Sequence, residues 1–522
     1  MNTLLATLLA MAALLSAPFV TAQDDTRPWP TREWSTSSPE DQGMSSERLA
    51  RLVEFGSSNA MDSLLVTRHG RIVLEATYAP FQAGLKHRVN SVTKSVIGSL
   101  IAIALRDGRL DSTDHKVVDF FADRTIANLD ERKKSITIRN LLDMTSGLAW
   151  QEGLDGWPES LIAMERSADW QQFVLDRPMA EAPGTAFYYD SGNSQLLSAI
   201  LSKVTGKSAL DYARETLFGP LGIEDVLWRG DPQGVSGGGA GLYLHPRDMA
   251  KLGYLYLRGG LWDGRQILPP SWIEGVRQAN VDMRASWARD LRYGSQFWVM
   301  PKQDAYLAVG YHRQLIIVMP KLDIVAVATG ASRFSIPSGT ASSPRYSFAT
   351  LVGNLAAAVI SDAAIAADPA ATAELAERVK QAAVEKPASP GSSSALAKAV
   401  SGKTWRFATN DLRFRSITLR LDDPVPSFEY EADGVPAGAP VAHFGGPIGF
   451  DGHYRVGGRM RYGLSAARGA WSDDGKSLVL EVQTLGNDDA ARLTYVFDGK
   501  TVELNFEMAL GFKLKLQGRA DD

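Results

Sequence analysis

Ser91 and Lys94 stand three residues apart in Ser91-Val92-Thr93-Lys94. On a helix, positions i and i+3 share a face, so this spacing brings a hydroxyl and an amine together. A serine hydroxyl is a poor nucleophile until a base takes its proton, and a lysine can take it only when held neutral. Burial achieves that, because desolvation penalises the ammonium form. The residues that follow, among them Val96, Ile97, Leu100, Ile101 and Ala104, make a helix apolar on nearly every side. A helix amino terminus at Ser91 also sets partial positive charge where an oxyanion would develop. The chemistry expected is acyl transfer through a covalent intermediate. The bland alternative is an N-cap serine with a surface lysine one turn later, and the short pattern alone does not separate the two.

A second serine, in Gly234-Val235-Ser236-Gly237-Gly238, has the Gly-x-Ser-x-Gly spacing of a nucleophile elbow. An elbow needs a buried strand before it and a helix directly after it. Here Arg229-Gly230-Asp231-Pro232-Gln233 precede and more glycines follow, so the stretch reads as a flexible loop. His245 and His312 would have to complete its triad.

Other chemistries are narrowed by composition. The chain has no cysteine, which excludes thiolate zinc sites, disulfides and cysteine nucleophiles. Its 7 histidines show no His-x-His or His-Glu-x-x-His spacing, so no histidine-rich metal site is expected, and the acyl-transfer chemistry needs no cofactor. A formal net charge of -4 over 522 residues gives no electrostatic reason to expect nucleic acid or an anionic membrane as partner. A small-molecule ester or amide is the expected partner.

The elements that must hold this chemistry can be read in order. Leu4 to Leu15 is apolar but short for a membrane span, and Val20-Thr21-Ala22 offers small residues to a signal peptidase. Residues 1–22 are therefore expected to be a leader cleaved near Ala22, sending the protein to the periplasm or medium. No later segment has the length and lack of charge of a membrane span. Met61 to Tyr78 reads as a hairpin turning at His69-Gly70-Arg71. Helical patterns start at Ser91 and recur at Leu141–Asp143, Leu196–Val204, Ala209–Leu217 and Arg247–Leu257. Strand patterns return at Phe297–Val299, Leu315–Met319 and Ile324–Thr329. Strands, then helices, then strands predict an α+β domain over 23–365, its sheet completed by distant segments. An Ala-rich helix and a Pro/Ser linker are expected over 366–397, and a period-two pattern over 398–522 predicts an antiparallel β domain, a small barrel or sandwich.

Five blocks, read in order, carry a resemblance. They are RVNSVTKSVIGSLIAIAL around Ser91, IRNLLDMTSGLAWQE from Ile138, PGTAFYYDSGNSQLLSAIL from Pro183, RDMAKLGYLYLRGGLWDGRQILPPSWI from Arg247 and AVGYHRQLIIVMPKLDIVAVATG from Ala308. Over roughly Ser45 to Ala357 the chain resembles the β-lactamase-related serine hydrolases: class C β-lactamases, D,D-peptidases, family VIII carboxylesterases and 6-aminohexanoate-oligomer hydrolases. The resemblance implies a β-lactamase/transpeptidase-like fold, an antiparallel sheet flanked by helices with a helical subdomain. It implies Ser91 as nucleophile, Lys94 as base and Tyr189 as proton relay, with Ser191 at the third position of the tyrosine motif or Asn193 supplying the usual amide. Tyr188 is the neighbouring candidate for the relay by chemistry alone.

The family's Lys-Thr-Gly strand motif is absent. In its place Ala308-Val309-Gly310-Tyr311-His312-Arg313-Gln314 resembles the Gly-x-x-Gly-Gln form of the 6-aminohexanoate-oligomer hydrolases. The register implies that Gly310 allows close approach and that the Tyr311 amide joins the Ser91 amide as an oxyanion hole, worth on the order of 3 kcal/mol per donor. Gly310, His312, Arg313 and Asn193 are the substrate-binding candidates. Arg313 would replace the missing lysine as a carboxylate clamp, or else be a solvated strand-end arginine. Without Lys-Thr-Gly, β-lactam cleavage is the lesser expectation. A binding or sensor protein for peptidoglycan-like ligands on the same fold is the alternative to catalysis.

Overall fold

The computed structural model describes residues 29–152, 158–283, 290–334, 344–389, 394–434, 440–488, 490–509 and 511–521, so the expected leader lies outside the described residues. The hairpin forms as β1 (Met61–Arg68) and β2 (Arg71–Thr77). Six later strands join it: β3 (Val281–Asp282), β4 (Arg292–Gly294), β5 (Phe297–Met300), β6 (Ala305–Gly310), β7 (Gln314–Met319) and β8 (Ile324–Gly330). Together they make an eight-stranded sheet in the order β2-β1-β8-β7-β6-β5-β4-β3, every neighbour antiparallel. β1 pairs with β8, so distant segments do complete one sheet.

The central strands β1, β7 and β8 are buried along their whole length. That follows from helices on both faces: α1 (Ser46–Ser58), α2 (Val92–Arg106), α3 (Ser191–Thr205), α4 (Pro246–Leu257), α5 (Pro344–Ala358) and α6 (Pro369–Ala382). Strand alternation divides the core. Leu64, Val66, Leu315 and Ile317 pack with Leu52 of α1 and Leu351 of α5. Leu65, Ile316, Val325 and Val327 pack with α2 and α4 on the opposite face. α3 lies against α2 in the helical part, and the Ala-rich segment, as α6, lies along α1.

The C-terminal region is all strand after a short helix (Leu396–Val400). Its strands are β9 (Thr404–Phe407), β10 (Phe414–Arg420), β11 (Ser427–Ala432), β12 (Ala442–Pro447), β13 (Arg455–Met460), β14 (Gly463–Trp471), β15 (Ser477–Thr484), β16 (Ala490–Asp498), β17 (Thr501–Met508) and β18 (Lys513–Ala520). They form one ten-stranded sheet, β12-β11-β10-β9-β18-β17-β16-β15-β14-β13. The two edges, β12 and β13, lie side by side, so the sheet nearly closes into a barrel around Trp405, Leu419, Leu480, Tyr495 and Leu504. Near-closure is how an antiparallel sheet avoids leaving long unpaired edges.

Candidate active site

The site begins where the chain leaves a short strand, His87–Arg88, and enters α2. Asn90 takes a left-handed conformation (φ 46°), which asparagine tolerates better than most residues, and turns the backbone so that Ser91 heads the helix. One turn on, the Lys94 amine reaches back to the Ser91 hydroxyl at 2.9 Å. Lys94 is 1 % exposed. Its other two directions are taken by the Ser191 hydroxyl at 2.8 Å and the Gly239 carbonyl at 2.8 Å.

That set of partners has a direct chemical reading. A carbonyl only accepts, so one N–H is committed to Gly239. The Ser191 hydroxyl donates to Glu152 at 2.5 Å, so its lone pair receives a second N–H from Lys94. As an ammonium, Lys94 donates to all three oxygens. As a neutral amine, it keeps those two bonds and turns its lone pair to Ser91. Burial pushes the Lys94 pKa down to about 8, against the opposing pull of the Glu152 and Asp190 charges. The neutral form is therefore accessible near physiological pH.

α3 supplies the second wall. Asp190 caps it, accepting from the amides of Gly192 at 2.6 Å and Asn193 at 3.2 Å. Burial, and then the Glu152 charge, push the Asp190 carboxyl up to about 8. The cap fixes Tyr189 just before the helix and Ser191 as its first residue. The Tyr189 phenol neighbours the Ser91 side chain, and its ring centroid lies 4.8 Å from the Lys94 amine. Burial, joined by the Glu152 charge, raises its phenol well above the ordinary value, so Tyr189 stays protonated and can hand a proton on. Tyr188, by contrast, is 45 % exposed.

Glu152 organises the deeper layer. It accepts from the Ser191 hydroxyl, from the Ser191 amide at 2.7 Å and from the Trp150 indole at 2.7 Å. A buried carboxylate with three donors is well satisfied, which is the condition for tolerating its charge there. The glycine run supplies the last wall. A side chain at Gly239 would come within 2.7 Å of the Ser191 Cβ, so only glycine lets this carbonyl reach Lys94. The stretch expected to be a loop is one, exposed at Pro232, Gln233 and Gly234 and buried from Ser236 to Gly239. Ser236 within it accepts from Ser198 through its carbonyl and from the Leu210 amide through its hydroxyl. His245 pairs with Asp225 and His312 with Ser332, so no triad forms around Ser236.

Strand β6, inside the sheet between β5 and β7, closes the site. A Cβ at Gly310 would lie 2.4 Å from the Val89 carbonyl and 3.1 Å from the Ser91 nitrogen, so glycine at the end of β6 permits the strand to approach the head of α2. Tyr311 follows, 48 % exposed, its carbonyl accepting from the Asn90 side chain at 3.0 Å.

The remaining candidates are buried. The Asn193 amide meets the Met144 sulfur at 3.7 Å inside the core, and Ser191, not Asn193, meets Lys94. His312 is bonded to Ser332, and burial lowers its pKa to about 4. Arg313 is 5 % exposed rather than solvated. Its left-handed backbone folds the side chain in beside Gly330, where burial, and then Arg333, lower its pKa to about 10 against the pull of Asp62. Sequence reasoning missed Glu152 and Gly239. The one local signal was the run of three glycines, which marks a close backbone approach. Among the described residues no cluster of side chains could hold a metal ion, and no helix is long and apolar enough to cross a membrane.

Comparison with known proteins agrees with this architecture. The family profile described as Beta-lactamase matches residues 57–346. The 6-aminohexanoate-dimer hydrolase of Paenarthrobacter ureafaciens is 24 % identical over 298 residues, covering 54 % of this chain and 75 % of that protein. A solved structure from Bacillus anthracis, described provisionally as a 6-aminohexanoate-dimer hydrolase, superposes with a TM-score of 0.50 at 21 % identity, over 62 % of this chain and 85 % of the other. EstCE1, a hydrolase with promiscuous acyltransferase activity, aligns at 19 % identity and a TM-score of 0.48, over 57 % of this chain and 97 % of its own.

Proposed function

The chain belongs to the beta-lactamase family of serine hydrolases, and from that premise we propose that it cleaves an ester or amide through a covalent acyl-enzyme on Ser91. Neutral Lys94 takes the Ser91 proton as Ser91 Oγ attacks the carbonyl carbon. The backbone amides of Ser91 and Tyr311 hold the resulting oxyanion. Tyr189 passes the proton to the leaving group, the C–O or C–N bond breaks, and the acyl group stays on Ser91. Water then attacks with Lys94 again as base, and Ser91 recovers its proton as the acid departs. Export is part of the proposal and rests on the leader-like first 22 residues.

The observation that carries this reading is the Lys94–Ser91 pair at 2.9 Å, with the amine buried and its other two directions committed. A surface lysine one turn after an N-cap serine would have neither feature. Linear amides of the 6-aminohexanoate-dimer type are natural first substrates, given the relative so named. β-Lactams are disfavoured, because Lys-Thr-Gly is absent and Arg313 is buried rather than presented.

Purified protein should be given a short-chain p-nitrophenyl ester, 6-aminohexanoate dimer and a chromogenic cephalosporin, with Ser91→Ala alongside. Turnover of the ester or the dimer, lost in the mutant, with little cephalosporin cleavage, is the expected result. Turnover that survives in Ser91→Ala would overturn the mechanism, and no turnover of any substrate would favour a binding role.

A further inference from the structure

Among the described residues, the turn between β15 and β16 brings the near-barrel up to the segment that leads into Ser91. Gly486 at this turn is left-handed (φ 81°), and a Cβ there would lie 2.1 Å from the Lys86 carbonyl, so the turn docks by backbone against backbone. The Arg88 amide donates to the Gly486 carbonyl at 2.7 Å, and the Tyr243 hydroxyl donates to Asn487 at 3.0 Å.

Asp488 goes further in. Its carboxylate pairs with Arg88 at 3.4 Å and accepts from the Asn90 side-chain amide at 3.0 Å. Its carbonyl accepts from the Ser332 amide at 3.0 Å. The second hydrogen of the same Asn90 amide goes to the Tyr311 carbonyl, also at 3.0 Å. Both neighbours only accept, so the side-chain orientation of Asn90 is fixed by chemistry. Asn90 is the left-handed residue directly before Ser91, and Tyr311 carries the second amide of the oxyanion hole. One side chain therefore ties the two donors together, and Asp488 holds that side chain. Burial would raise the Asp488 carboxyl, but Arg88 foremost, with His312 and Asn90, holds it below the usual range, so it remains an anion.

Resting on the acyl-enzyme reading above, we propose that Asp488 is a positioning residue: through Asn90 it holds the Ser91 and Tyr311 backbones so that their amides face one oxyanion. The C-terminal domain is then a working part of the catalytic site.

The test uses the full chain and p-nitrophenyl acetate, with Asp488→Ala, Asp488→Asn, Asn90→Gly, the double variant Asn90→Gly/Asp488→Ala and, as a control at an exposed turn, Asp498→Asn. Phenylboronic acid, whose tetrahedral adduct on a serine mimics the transition state, reports the oxyanion hole separately. Asp488→Ala should lower kcat by about 10- to 100-fold with KM within about twofold, and weaken the boronate by a similar factor. Asp488→Asn, which still accepts from Asn90, should recover most of that loss. Asn90→Gly keeps the left-handed backbone and should match Asp488→Ala, and adding Asp488→Ala to it should cost little more. Asp498→Asn should behave as wild type. A folded Asp488→Ala with kcat within about twofold of wild type overturns the inference, as does a kcat loss with boronate affinity unchanged. If Asp488→Ala does not fold, Asn90→Gly decides in the same two ways. Failure of the underlying function is distinguishable, because it shows as wild-type turnover that is absent or survives Ser91→Ala, whatever happens at position 488, and it takes this inference down with it.

Discussion

The Ser91 site and the interior of the near-barrel bury opposite kinds of side chain. Around Ser91, the interior holds Lys94, Glu152, Asp190 and Ser191, all with little or no exposure. Inside the near-barrel, Trp405, Leu419, Leu480, Tyr495 and Leu504 pack together, and the charges stay on the outer face, where Arg468 and Arg492 flank Glu481. Burying a lysine and two carboxyl groups costs stability that an apolar core would not. A fold keeps such a cluster where chemistry needs it, here to hold an amine neutral beside a hydroxyl. Among the described residues, the near-barrel meets the residue before Ser91 through Asp488 in the turn between β15 and β16.

The sharpest way to break this contrast is to remove the reacting pair. Ser91→Ala, and separately Lys94→Met, should each lower kcat for a p-nitrophenyl ester by at least about 10³-fold while the protein stays folded by circular dichroism. A smaller loss of about 10- to 100-fold is expected for Glu152→Gln, which leaves Ser191 with a weaker acceptor.

The same variant sharpens the electrostatic account. A base works in its neutral form, so kcat/KM should rise with pH through about 8 and level off above it, following Lys94. The Glu152 charge raises the Lys94 pKa, so Glu152→Gln should move that midpoint to lower pH. A midpoint that stays put or moves upward would mean that Glu152 does not act on Lys94 as described. The smallest effect on chemistry is expected from the other region. Leu504→Ala should cost about 2–5 kcal/mol of stability by thermal or denaturant melting, yet leave kcat of the folded protein within about twofold. A drop comparable to that of Ser91→Ala would erase the distinction between the two regions.

How far this was legible in the sequence follows from the range of each interaction. Ser91 and Lys94 are neighbours on one helix, so their spacing alone placed hydroxyl beside amine. The near-barrel strands announced themselves by alternation, because each has one face inside and one outside. Its near-closure did not, since the meeting of β12 and β13 depends on the twist and count of ten strands rather than on any local pattern. The partners of Lys94 arrive through space: Ser191 is 97 residues away in the chain and Gly239 is 145. Arg313 was read as a clamp or a solvated strand end, because nothing local reveals that a left-handed turn at His312 and Arg313 folds the guanidinium inward. Asp488, in the turn between β15 and β16, carried no sequence signal at all.

The most direct test of the central claim is to trap the covalent intermediate and find its serine. The protein should be treated with a fluorophosphonate ester, digested and mapped by mass spectrometry. A single adduct on the peptide bearing Ser91, lost in Ser91→Ala and slowed in Lys94→Met, is the result expected. An adduct on Ser191 or Ser236, or one that persists in Ser91→Ala, would contradict the assignment of Ser91 as nucleophile.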